Sequence, residues 1–88
     1  MRKIYKYNFD IIQNVTINHP KGGLMTHIGI DASNGRPAIW IAFDEENEHD
    51  LVSLPLTIVG TGTPVSKDLE FLATIQDGIF VWHIFTND

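Results

Sequence analysis

Leu24-Met25-Thr26-His27-Ile28-Gly29-Ile30-Asp31, then Ala32-Ser33-Asn34-Gly35-Arg36-Pro37, then Ala38-Ile39-Trp40-Ile41-Ala42-Phe43 is the stretch that decides the fold. Its first arm alternates, with Leu24, Thr26, Ile28 and Ile30 on one side and Met25, His27, Gly29 and Asp31 on the other. Its second arm sets Ile39, Ile41 and Phe43 against Ala38, Trp40 and Ala42. A period of two places successive side chains on opposite faces of a strand. Asn34-Gly35 between two such arms is a strong hairpin signal, because glycine reaches the positive φ that a tight turn needs. The stretch reads as a β-hairpin over residues 24–43.

Upstream, Lys3 to Phe9 also alternates, with Tyr5, Tyr7 and Phe9 on one face and Ile4, Lys6 and Asn8 on the other. Val15-Thr16-Ile17 is a short β-branched strand, and His19-Pro20-Lys21-Gly22-Gly23 is a turn. Downstream, Asp44 to Asp50 is a charged loop. Leu51 to Val59 reads as a strand, but Pro55 lacks a ladder donor, so the strand is expected to be at an edge, bulged or broken there. Gly60-Thr61-Gly62-Thr63-Pro64 is a loop. Asp68 to Thr74 and Ile79 to Thr86 form a second hairpin across Gln76-Asp77-Gly78. Ser66 to Leu72 is the one helix candidate, with Ser66 as a possible N-cap, but it is short for a stable helix. The expected fold is all-β: a compact sandwich or partly open barrel of about seven short antiparallel strands with at most one short helix.

The 88 residues fit one domain spanning 1–88, and with no cysteine it has no disulfide to lean on. Met1-Arg2-Lys3 is basic, but Tyr5, Lys6, Asn8 and Asp10 interrupt any apolar leader, and no apolar run is long enough to span a membrane. These features suit a cytosolic protein. The net charge of −5 is uneven. Residues 1–36 set five cations (Arg2, Lys3, Lys6, Lys21, Arg36) against Asp10 and Asp31, while residues 37–88 set Lys67 against nine carboxylates. An acidic chain repels a nucleic-acid backbone, so DNA is an unpromising partner. A small anion near the basic N-terminal part stays possible, beside the plainer reading of an unevenly charged solvated surface.

No pattern of catalytic chemistry stands out. His19, His27, His49 and His83 share no ligand spacing, so a metal site is not expected. Asp44 to Asp50 lacks the central glycine and ligand order of a calcium loop. Ser33, Ser53 and Ser66 lie outside any nucleophile elbow. Gly60-Thr61-Gly62-Thr63 could offer backbone N–H groups and hydroxyls to a phosphate, although such a loop is more commonly a plain turn. It is neither a Walker loop nor a dinucleotide fingerprint. Tyr5, Tyr7, Phe9, Trp40, Phe43, Phe71, Phe80, Trp82 and Phe85 are chiefly core candidates, some of them available for stacking on a base. Both faces of Ile79 to Thr86 are largely apolar, which implies cover on both sides, from the chain itself or from a partner subunit.

Five segments read together carry a family resemblance. They are Ile4-Tyr5-Lys6-Tyr7, Pro20-Lys21-Gly22, Gly35-Arg36-Pro37-Ala38-Ile39-Trp40, Ile58-Val59-Gly60-Thr61-Gly62 and Phe80-Val81-Trp82-His83-Ile84-Phe85. In this order they resemble a family of small bacteriophage proteins of unknown function. That family in turn is similar to the viral sponges that bind cyclic oligonucleotide signals of the CBASS immune systems without cutting them. The resemblance implies a homo-oligomer in the host cytoplasm that sequesters a cyclic dinucleotide and uses neither cofactor nor catalytic residue. His19 stands where an apolar residue is more usual before Pro-Lys-Gly. Residue chemistry, rather than the family, nominates the contacts: Tyr5, Tyr7 or Trp40 for bases, and Gly60, Thr61, Gly62 and Thr63 with Lys6 or Arg36 for phosphates. The rival readings are an inhibitor or accessory phage protein acting on a host protein, an enzyme hydrolysing the same nucleotide, and a structural phage component.

Overall fold

A computed structural model describes residues 1–87. It contains seven strands: β1 (Arg2–Asn8), β2 (Asn14–Pro20), β3 (Leu24–Asp31), β4 (Arg36–Asp44), β5 (Leu51–Gly60), β6 (Glu70–Asp77) and β7 (Phe80–Thr86). They form two antiparallel sheets, three strands in the order β1-β4-β3 and four in the order β2-β5-β7-β6. The sheets are separate and no closed barrel forms.

The central hairpin forms as the alternation predicts, with Asp31 opposite Arg36 and Ile28 opposite Ile39. Asn34 and Gly35 both donate backbone N–H to Asp31 O, and Gly35 takes φ +70°, so the turn is a four-residue loop closed by glycine. One feature of the first arm differs from strict alternation. A register shift between Met25 and His27 makes Thr26 the extra residue of a bulge. Met25 opposite Ile41 therefore shares a face with Ile28 opposite Ile39, whereas alternation had put them on opposite sides.

The inner faces meet in one core of Phe9, Ile17, Ile28, Ile39, Ile41, Leu56, Ile58, Ile75 and Ile84. β4 is central in its sheet and is buried except at Arg36, Trp40 and Asp44. On its outer side the buried positions are Ala38 and Ala42.

Other expectations need adjusting. β2 runs from Asn14 through to Pro20, so the turn before β3 is shorter than residues 19–23. β5 is unbroken through Pro55. Its β7 partner begins only at Leu56, so the half containing Pro55 is paired on one side by β2 alone, and of the expected alternatives the edge position is the one found. The Ser66 to Leu72 segment is not a helix. Ser66 Oγ accepts from Asp68 N at 3.2 Å in a turn, and Leu72 lies in β6 at a second bulge. Among the described residues the one short helix is a 3₁₀ turn at Glu45–Asn47, capped by the Asp44 carboxylate, which accepts from Glu46 N.

Candidate functional site

Strand direction gathers several loops at one end of the sandwich. β1 ends and β2 begins there, β5 ends there at Gly60, and both the β3–β4 and β6–β7 turns lie there. Between the Phe9–Gln13 loop and the end of β5 is a cleft of about 290 Å³, lined by Ile11, Ile12, Gln13, Ile58, Val59, Gly60, Thr63 and Trp82. Gln13 O accepts from Ile58 N at 2.9 Å, which ties one wall to the other.

The Gly60–Thr63 loop is built from its own residues. Thr63 N–H donates to Gly60 O at 3.2 Å and closes the turn, with Gly62 at φ +89°, where a side chain is strained. Opposite Gly60 in the ladder sits Trp82, and a Cβ added at Gly60 would lie 3.7 Å from Trp82 Cζ3. That is ordinary van der Waals distance, so the indole lies beside the loop backbone without glycine being required at position 60. Thr61 is held from outside the cleft. Its Oγ1 lies 2.9 Å from His83 Nε2, and the other ring nitrogen, Nδ1, lies 2.9 Å from Thr74 Oγ1. A hydroxyl can donate or accept, so the Thr61–His83–Thr74 chain is satisfied in either tautomer.

Arg36 belongs to the same end. Its Nη2 donates to Asp10 Oδ1 at 3.1 Å, and the residues following Asp10 form the cleft wall. Both partners are well exposed, so water screens this ion pair and holds the guanidinium loosely.

The remaining nominated residues separate. Lys6 and Trp40 are opposite one another on the outer face of the three-stranded sheet, with His27 next in the row. The Trp40 and His27 rings are 5.4 Å apart and tilted by 43°. The Lys6 ammonium is already engaged, 2.6 Å from Asp31 Oδ2. Tyr5 and Tyr7 pair with Ile41 and Ile39 and so lie on the inner side of that sheet. Tyr5 packs edge-on against Phe43 with centroids 4.8 Å apart, and the neighbouring Glu48 carboxylate raises its phenol above the ordinary range. Burial raises the Tyr7 phenol. The structure therefore brings Arg36 and residues 60–63 to one end, and does not bring Tyr5 or Tyr7 to the face that carries Lys6 and Trp40.

A second cleft, about 180 Å³, opens between the sheets and includes His19, Glu70 and Thr86. Its polar groups are partly occupied: His19 Nδ1 lies 2.9 Å from Pro20 O, and Thr86 Oγ1 donates to Pro55 O at 2.7 Å. Among the described residues no group of three His, Cys, Asp or Glu side chains is placed to hold a metal ion. No helix of the described chain is long and apolar enough to cross a membrane.

Sequence reasoning missed Trp82, His83 and the Ile11–Gln13 wall. Trp82 shares its alternation with the core residue Ile84, and only the β5–β7 register reveals that it stands beside Gly60. A family model described as "Domain of unknown function (DUF7352)" matches residues 1–88. No curated protein and no solved structure matches the chain.

Proposed function

The chain belongs to this family of unknown function along its whole length, and from that premise we propose that it is a binding protein that sequesters a cyclic dinucleotide without cleaving it. The observation that carries the proposal is the cleft where the indole of Trp82 meets the Gly60–Thr63 loop. A base needs a flat apolar ring to stack on, and a phosphate needs donors that approach closely. Thr61 and Gly62 N–H groups have no backbone acceptor among the described residues, so the loop tip between the cleft-lining Gly60 and Thr63 carries two donors for an anion at the cleft's edge. Arg36 is near enough to the cleft wall to exchange its exposed carboxylate partner for a phosphate.

The biological setting of this proposal rests on the five sequence segments that resemble a family of small phage proteins of unknown function, and on that family's similarity in turn to anti-CBASS sponges. In that setting the protein acts in the host cytoplasm as a homo-oligomer, evading immunity by lowering the free concentration of the signal. Retention alone is enough for this role, so the cleft requires neither a nucleophile nor a general base.

The test mixes purified protein with labelled cyclic di- and trinucleotides, measures retention, then heat-denatures the complex and analyses the released ligand. Retained and intact ligand supports sequestration and identifies the signal. Degraded ligand makes the protein an enzyme. No retention across the panel rejects the nucleotide reading.

A second reading has its own observation. Ile4 and Leu24, each 58% exposed, flank Ala42 on the outer face of the three-stranded sheet. An apolar row of this kind suits contact with a host protein, as an inhibitor or accessory protein would make.

A further inference from the structure

The end that carries the cleft also carries a protruding apolar tip. β6 and β7 turn through Gly78, at φ +62°, and Ile79. Ile79 is 90% exposed and Phe80 57%. The Phe80 ring stacks on Trp82, with centroids 5.9 Å apart and planes 16° from parallel. Ile12, on the cleft wall, is 54% exposed. Hairpin tips ordinarily carry polar or turn-forming residues because water surrounds them. Here recess and protrusion lie side by side, and both are apolar.

We infer that this end docks on a second copy of the chain in a two-fold pair, the Ile79–Phe80 tip of each copy covering the Ile12–Trp82 cleft of the other. An isologous contact requires a surface that complements itself, and an adjacent tip and recess of the same chemistry provide one. Ile79, Phe80 and Ile12 together leave on the order of 400 Å² of apolar surface in each copy, within the range of the largest patch on a typical monomer and often functional. Two such surfaces come to about 800 Å², so the polar residues around them must supply the rest of the roughly 1,000 Å² that a specific interface needs.

Charge favours the same arrangement. The chain is acidic, so two copies repel, and the densest carboxylate run, Asp44 to Asp50, lies at the opposite end of a molecule 41 Å long. Pairing through the cleft end keeps those runs far apart, beyond the roughly 8–10 Å over which salt screens charge. The pairing does not depend on the nucleotide reading. If that reading holds, the pair sets two clefts, each closed by the partner's tip, beside one another for a ligand carrying two bases, whereas one cleft of about 290 Å³ is at the lower limit for a small-molecule site.

The test is sedimentation equilibrium of the ligand-free chain over a concentration series, with the variants Ile79→Asp and Leu24→Asp. The expected result is a dimer that dissociates on dilution. Ile79→Asp raises its Kd by about 30-fold or more, as loss of a buried anchor does, while Leu24→Asp leaves it unchanged. Ile79 is almost fully exposed in the single chain, and an unchanged circular dichroism spectrum checks that the variant folds. A monomer at every concentration overturns the pairing, as does a dimer broken by Leu24→Asp and not by Ile79→Asp. A chain that is monomeric alone and holds a different protein through the Ile79 tip also overturns it. Cyclic dinucleotide retention is scored separately: a dimer without retention rejects the nucleotide reading alone, and retention by a monomer rejects the pairing alone.

Discussion

Lys6 on β1 and Asp31 on β3 form an ion pair, 2.6 Å from Nζ to Oδ2, with β4 between their strands. The crossing is possible because Ala38 and Gly29, adjacent on the same outer face, are too small to obstruct it. Asp31 is buried and also accepts from Ser33 Oγ at 2.7 Å, Ser33 N at 2.9 Å and Asn8 Nδ2 at 3.3 Å. It therefore ties the hairpin turn to the edge strand. The Lys6 ammonium first, then the Ser33 hydroxyl and N–H, hold the Asp31 carboxyl well below the usual carboxylate range.

Because folding lowers this pKa, the carboxylate's contribution is fully present above the unfolded value and is lost as pH falls through the folded one. Wild type should therefore exceed Asp31→Asn in stability at neutral pH. The gap should narrow once pH drops below about 4, the unperturbed aspartate value. Urea denaturation of both proteins across a pH series reads the gap directly. A gap that stays constant into strong acid would assign the loss in Asp31→Asn to something other than the carboxylate's charge.

Two glycines without positive φ are expected to behave differently. At Gly23 a Cβ would lie 2.6 Å from Ile41 Cγ2, 2.8 Å from His19 Nδ1 and 3.1 Å from the Pro20 backbone carbonyl. A buried core residue and a backbone atom cannot retreat easily, so Gly23→Ala should cost about 2 kcal/mol. At Gly29 the obstacle is the His27 ring alone, 2.5 Å away at Nε2, and that side chain is exposed and can rotate. Gly29→Ala should cost less than about 1 kcal/mol and show instead as a changed Trp40 fluorescence environment. Equal losses would mean that His27 is less free than its exposure suggests.

Ile39 is at the centre of the inner face of the three-stranded sheet. It is fully buried on β4, between Tyr7 of β1 and Ile28 of β3. Ile39→Val should cost about 0.5–1.5 kcal/mol and Ile39→Ala about 2–5 kcal/mol. Small domains have only about 5–15 kcal/mol in total, so the second variant should be near its limit at 37 °C. Ile4→Ala, on the exposed outer face, should stay within about 0.5 kcal/mol. Chemical denaturation of the three variants ranks them.

The hairpin from Leu24 to Phe43 was legible because its signals are local: alternation, and an Asn-Gly pair in the turn. The bulge at Thr26 was not, because an extra residue preserves the apolar composition and becomes visible only through the partner strand's register. The Ser66 to Leu72 segment misled for a related reason. Leu69 and Leu72 have helical spacing, but Leu72 is the bulge residue of β6, so the spacing spans a loop and a strand. At the candidate site, glycine and threonine in a loop are visible in sequence, so Gly60–Thr63 was legible. Trp82 joins it through a pairing between residues 22 positions apart, and no local pattern records such a pairing.

That long-range pairing yields the sharpest test of where a ligand sits. Trp82 and Trp40 are the two tryptophans, both half-buried, and they belong to different sheets. Trp82 stands beside a loop with available donors, while the cation beside Trp40 is bound by Asp31. Stacking of one base on an aromatic ring is worth about 1–3 kcal/mol. Trp82→Ala should therefore weaken cyclic dinucleotide retention by roughly tenfold to a hundredfold, and Trp40→Ala by less than about threefold. His83→Ala should fall between them, since it frees Thr61 without removing a ring from the cleft. Titration of each variant with labelled ligand separates these outcomes. If Trp40→Ala carries the loss and Trp82→Ala does not, the ligand lies on the outer sheet face. Lys6 must then leave Asp31 to reach it, and Asp31→Asn, which weakens that hold, should tighten binding.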